Sequence, residues 1–321
     1  MTYLFNRIHA SLKARLTADP PIGQTRRIDI PTSGAASEAT VQNANGFLWT
    51  HSSEREIHMS LKTVRFFLIA AGCVFVAAAQ NQPQAYVVDT CVKAAPGKGL
   101  ETSAYIREVL AKTAQVRVDD GTAAWYLALI AVVPAGSEAR CDYRLVTGYK
   151  GFPPEASAER AAADRKKAGI TMTPAENAER ANAVGHAVRT DYWRVLADVG
   201  PNLEKGQYVR LNYEKLKPGQ TAEYVKLQTA GWKPFVESLK GSGLGWHLNV
   251  LSMPGGTSQR YSALTVDTYP TWEALGKGWP TSEWSKVHPD LKPADYQKQV
   301  AETTERVSVE VYRILESVRP K

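Results

Sequence analysis

The side chains best suited to proton transfer gather late in the chain. Along Gly245–Met253, His247, Asn249 and Leu251 alternate with Trp246, Leu248 and Val250, so a strand there separates the two sets onto opposite faces. After a Pro-Gly turn, Tyr261, Thr265, Asp267 and Tyr269 alternate with Leu264 and Val266. An imidazole oriented by a carboxylate is a competent general base. If the aliphatic faces meet helices, the polar-aromatic faces meet each other in the interior. His247 and Asp267 are then the catalytic candidates. Asn249, Tyr261, Thr265 and Tyr269, with Tyr213 near Tyr261, are the ligand-contact candidates. The plainer expectation for His247 is a hydrogen-bonded interior histidine without catalytic work.

Other chemistry is sparse. The sequence has no P-loop, paired metal-binding cysteines, HExxH or GxSxG. No metal or cofactor is therefore expected. His247 is conceivable as a haem ligand, but nothing else calls for iron. KGSGLGW from Lys240 sits between a helix and a strand, the reverse of the dinucleotide-binding order, and reads as a helix-stop turn. His186, at a helix end, and His288, beside Pro289, read as surface residues. Trp272, Trp279 and Trp284 suit a cover over a helix–sheet seam, or else a cap on a ligand site.

The elements that must position these residues come in two similar sets. YVVDTCVKAAPGKG from Tyr86 parallels YVRLNYEKLKPGQT from Tyr208. PAGSEARCDYRLVTGY from Pro134 parallels PGGTSQRYSALTVDTY from Pro254. The stretch from Thr173 to Val199 parallels that from Lys292 to Val318. These similarities imply two modules, residues 84–200 and 206–319. In each, a strand stops at Pro-Gly, a helix follows (100–116 and 221–239), and a hairpin crosses a Pro-x-Gly turn. A helix opening on Pro174 or Pro293 comes next (174–187 and 293–306). The last stretch of each set fits a strand or a helix; a strand would complete the order βαββαβ. In module one, Tyr126 stands near the His247 position, Cys141 replaces Tyr261 and Thr147 replaces Asp267. A single site would then belong mainly to module two. Residues 156–169 read as an exposed helix.

Upstream lies a targeting signal. Residues 59–79, MSLKTVRFFLIAAGCVFVAAA, place Lys62 and Arg65 ahead of an apolar run that ends in small residues. This is the layout of a secretory signal peptide cleaved after Ala79, and it implies a periplasmic or secreted protein. The run is short for a membrane span. The AAGC ending at Cys73 only faintly resembles a lipoprotein box. Residues 1–58 have no sustained apolar period and read as a disordered upstream extension that arises from a start codon placed too far upstream, Met59 being the expected start. The alternative is a cytoplasmic extension, with the apolar run as an anchor. Net charge is +7 without a Lys/Arg block, which argues against a nucleic-acid partner.

The βαββαβ order is that of the ferredoxin-like unit. With the Tyr…Pro-Gly…Trp…Pro-x-Gly…Tyr skeleton it makes residues 84–319 resemble the dimeric α/β-barrel superfamily. That superfamily includes cofactor-free monooxygenases, haem-degrading enzymes and exported proteins without assigned roles. The resemblance implies an α+β fold in which two tandem ferredoxin-like modules form a pseudo-dimeric α/β barrel. It carries over no catalytic motif. It also implies that the strands bearing Cys91 and Cys141 are antiparallel neighbours. Both cysteines are replaced by tyrosine in the second set, Tyr213 and Tyr261, as cross-strand neighbours would be. A Cys91–Cys141 disulfide is therefore expected in an oxidising compartment. Function is read as binding of a small apolar or aromatic ligand, or of a partner, through the barrel. The alternative is a cofactor-independent monooxygenase-like enzyme using His247 and Asp267.

Overall fold

The computed structural model describes residues 84–134, 140–255 and 259–321. The expected signal peptide and upstream extension lie outside the described residues. Eight strands form the frame: β1 Tyr86–Ala94, β2 Trp125–Val133, β3 Tyr143–Tyr149, β4 Gly185–Val199, β5 Tyr208–Leu216, β6 Gly245–Met253, β7 Ala263–Tyr269 and β8 Thr304–Val318. Helix α1 spans 99–119, α2 is Ala158–Lys167 and α3 is Pro174–Val184. In the second half, α4 spans 221–238, α5 is Trp272–Lys277, α6 is Trp284–Val287 and α7 is Pro293–Thr303.

Local chemistry accounts for the boundaries. β1 and β5 stop at Pro-Gly turns whose Gly97 and Gly219 have positive φ, a conformation that favours glycine. Thr173 caps α3 in a capping box with Glu176, and Pro174 occupies the first turn. The sequence suggests a helix reaching residue 187, but α3 stops at Val184. There Gly185 lies so close to the Lys93 carbonyl that a Cβ would collide with it, and the chain turns into β4. His186 accordingly sits on a strand rather than a helix end. Both ambiguous stretches are strands, β4 and β8, of 15 residues each.

The strand order is β1-β3-β2-β8-β5-β7-β6-β4, closed into a barrel by β4 against β1. Every pairing is antiparallel. The length of β4 and β8 explains the closure. Each pairs with the first strand of its own half and also with the second strand of the other half, β4 with β6 and β8 with β2. Full closure leaves no sheet edge unpaired. The fold is thus α+β, two ferredoxin-like βαββαβ halves sharing one barrel, with helices outside.

Three apolar layers follow. Val209, Leu211, Leu264 and Ile314 pack inside the barrel. Ile106, Tyr143, Leu145 and Val118 fill the helix–sheet seam of the first half. Phe235, Trp246, Trp284 and Tyr296 fill that of the second. Trp279 and Trp284 are therefore seam cover, while Trp272 stays half exposed against Tyr208. Helix α2 lies on the surface but buries Ala161 and Asp164, the latter bound to Arg117 at 2.7 Å. The expected disulfide is present: Cys91 on β1 joins Cys141, just before β3, with Cα atoms 5.2 Å apart.

Gly148 shows how tightly the interior is set. It pairs with Trp125 across β2 and β3, and a Cβ there would overlap the indole ring. Gly148→Ala is expected to cost about 1–3 kcal/mol by overpacking, measured as a lower urea midpoint.

Candidate functional site

One end of the barrel encloses a cavity of about 200 Å³. Trp125, Leu127 and Leu129 from β2, Val209 and Leu211 from β5, and Leu264 and Val266 from β7 make its walls apolar. His247 and Asn249 from β6 also line it, with Asp89 from β1 and Trp193 from β4.

His247 is held by a partner that the sequence did not suggest. Its Nδ1 lies 2.9 Å from Asp198 Oδ1, across the register that sets Asp198 against His247 on β4 and β6. The imidazole beside Asp198 holds that carboxyl below its usual range. The other ring nitrogen, Nε2, is buried and has no hydrogen-bond partner. This is an oriented imidazole with one free nitrogen beside an apolar cavity. Arg319, its guanidinium 5.3 Å from the Trp125 ring centroid, also lines the cavity.

Asp267 does not join His247. In the β6–β7 register His247 pairs with Val266 and Trp246 with Asp267, so Asp267 shares the outward, helix-facing side with Trp246. It binds Arg210 Nη2 at 2.7 Å and Asn212 Nδ2 at 2.9 Å. Thr265 and Tyr269 occupy the same outward face. Thr265 Oγ1 accepts from Asn212 Nδ2 at 3.2 Å, and Tyr269 packs against Trp279. The expectation that these three face the barrel is corrected for a simple reason. Both faces of β7 are buried, so an aliphatic face does not mark the helix side.

The remaining candidates are inside. Asn249 lines the cavity and donates Nδ2 to the Leu264 carbonyl at 3.4 Å. Tyr213 and Tyr261 are neighbours, with ring centroids 4.7 Å apart, as anticipated. They sit beyond the cavity in the barrel core, Tyr261 stacked on Trp193 and Tyr213 tilted against it. Tyr261 donates to Asp191 Oδ2 at 2.6 Å. Burial and that bond raise its hydroxyl well above the ordinary tyrosine range.

An ionic core also lies inside, which the sequence did not suggest either. Arg144 is 2% exposed. Its Nη1 meets Asp89 Oδ2 at 2.6 Å and its Nη2 meets Glu310 Oε2 at 3.0 Å. Glu310 also accepts from Tyr312 at 2.8 Å, and Asp191 is paired with Arg189 at 2.5 Å. Burial raises the Asp89 carboxyl above its usual range; Arg144 opposes the rise, and Asp191 and Glu310 add to it. Asp89 within YVVDTCV was a visible signal, a lone carboxylate amid an apolar strand.

A second cavity, about 330 Å³, lies outside the barrel, in the first half's helix–sheet seam. Val88, Val92, Ile106, Leu110, Leu145 and Val184 are among its lining. The other half fills its seam with Trp232, Phe235, Trp284 and Tyr296. By the repeat, Leu110 and Asn177, both lining this space, stand where Trp232 and Tyr296 do. Smaller side chains leave the space open. Among the described residues, no group of three or more His, Cys, Asp or Glu is placed to hold a metal ion. Nor is any helix among them long and apolar enough to cross a membrane.

No protein family and no curated protein matches this sequence. Solved structures do resemble the fold. A candidate monooxygenase from Lactobacillus acidophilus NCFM aligns with TM-score 0.47 and 9% identity, covering 74% of this chain and 96% of its own. An anthrone oxidase-like protein aligns with TM-score 0.44 and 10% identity, covering 74% and 94%. The encapsulated DyP-type peroxidase from Mycobacterium smegmatis aligns with TM-score 0.41 and 8% identity, covering 73% and 96%. Likenesses at this level transfer no residue role to this chain.

Proposed function

We propose that this is an exported protein that binds a small aromatic ligand bearing an acidic hydroxyl inside the barrel, with His247 Nε2 as the acceptor. The buried, unpartnered Nε2, on a ring anchored by Asp198, carries the reading. A buried acceptor without a partner is costly, and a ligand hydroxyl would satisfy it. The apolar walls suit an aromatic ring. Export is supported by the layout of residues 59–79 and by a disulfide that needs an oxidising compartment. The recurring element order and sequence skeleton support an origin by tandem duplication.

The test uses 4-nitrophenol, whose phenolate absorbs visibly. Saturable binding with enrichment of the bound phenolate is expected, and His247→Gln should weaken it about tenfold. Wild-type protein that gives no saturable signal would overturn the reading. The Asp198–His247 pair also favours a catalytic variant of it. There the imidazole takes the hydroxyl proton and dioxygen, as the oxidant, converts the aryloxide to a quinone; one oxygen atom enters the ring and the other leaves as water with the proton returned by the imidazolium. Loss of ligand over time in wild type, absent in His247→Gln, would select that variant; ligand recovered unchanged would select binding alone.

A further inference from the structure

The barrel cavity has two polar ends, and His247 accounts for only one of them. Asp89 and Trp193 line the same cavity as His247, and they are 3% and 0% exposed. Asp89 spends Oδ2 on Arg144, while its Oδ1 has no hydrogen-bond partner. The Trp193 indole N–H has none either. One unmet acceptor and one unmet donor at the wall of one cavity call for a group that can satisfy both.

Register separates the two ends. Trp193 pairs with Leu251 on β6, four residues from His247, which is about 13 Å along an extended strand. Asp89 pairs with Asp191, two residues from Trp193 and on the same inward face. Trp125, Leu127 and Leu211 line the apolar space as well.

We infer that the barrel ligand is an elongated aromatic molecule with a hydroxyl at the His247 end and, at the other end, a neutral group that both donates and accepts, such as a carboxamide, held by Asp89 and Trp193. This rests on the barrel site proposed under the preceding heading. The amide N–H donates to Asp89 Oδ1 and its carbonyl accepts from the Trp193 indole. Other groups fit less well. A carboxylate would meet Asp89, with Asp191 and Glu310 close by, as one more buried anion. An ammonium would leave the indole N–H unmet.

The test is calorimetric titration of the purified chain with phenol, 4-hydroxybenzamide and methyl 4-hydroxybenzoate. The amide is expected to bind at least tenfold tighter than phenol. The ester, which lacks the N–H, should be weaker than the amide. Trp193→Phe keeps an aromatic ring and removes the donor; it should cut the amide's advantage over phenol several-fold. His247→Gln should weaken all three. If no probe binds wild type, the barrel site itself falls and this inference with it. If phenol and the amide bind equally, or the amide is no tighter than the ester, the two-ended ligand is wrong while the barrel site stands. These ligand comparisons need only the wild-type protein, so they decide the matter even where a variant fails to fold.

Discussion

Arg144→Leu is expected to be the most damaging single substitution in the barrel, lowering stability by about 3–5 kcal/mol. Arg144 is the shared partner of Asp89 and Glu310, and all three are almost fully buried. Removing the cation leaves two carboxylates in an apolar interior with nothing to offset their desolvation. The loss should depend on pH in a defined direction. A buried acid whose folded pKa is raised contributes most below its unfolded pKa and loses that contribution as pH rises through the folded value. Burial already raises Asp89 against the pull of Arg144, so deleting Arg144 raises it further. The deficit of the variant should therefore shrink as pH falls from neutral toward the carboxylate range. Adding Asp89→Asn and Glu310→Gln to Arg144→Leu should recover much of the loss, because neutral amides carry no buried charge. Urea unfolding of the set at two pH values measures all of this. An Arg144→Leu deficit below about 1 kcal/mol, the scale of an exposed ion pair, or one that grows toward acid, would mean that the carboxylates are not held by Arg144.

Removing the disulfide through Cys91→Ala with Cys141→Ala is expected to cost about 4 kcal/mol on the chain-entropy account, less if the freed strands relax. The bridge spans a sequence separation of 50. It ties β1 to the entry of β3, two strands that are already neighbours in the barrel. Its main effect is on the unfolded chain, so the barrel should still form, with native circular dichroism and a lower melting temperature. The second half supplies the comparison: Tyr213 and Tyr261 stand in place of the cysteines and pack ring against ring. Cys91→Tyr with Cys141→Tyr tests whether that aromatic pair is interchangeable with the bridge. Partial recovery over the alanine pair is expected from the restored apolar burial.

Much of this architecture was legible in the chain itself. Period-two alternation and Pro-Gly turns marked β1, β2, β5 and β6, and Pro174 and Pro293 marked two helix starts, because these are local conformational preferences. The parallel between Tyr86 onward and Tyr208 onward announced two halves of one kind. Their paired Cys-to-Tyr change pointed to a contact that the Cys91–Cys141 bridge makes good. Closure of the barrel decided the rest. The side of β7 that faces inward depended on registers with β5 and β6, since Leu264 and Asp267 are equally buried on opposite faces. Asp198 reaches His247 only because β4 leaves its own half to pair with β6. Arg144 finds Glu310 from the opposite half of the chain, inside the shared barrel. Local sequence sets strands, turns and helix starts because they cost or gain energy within a few residues. The inward face and the ion partners were set by pairings between distant strands, which no local pattern encodes.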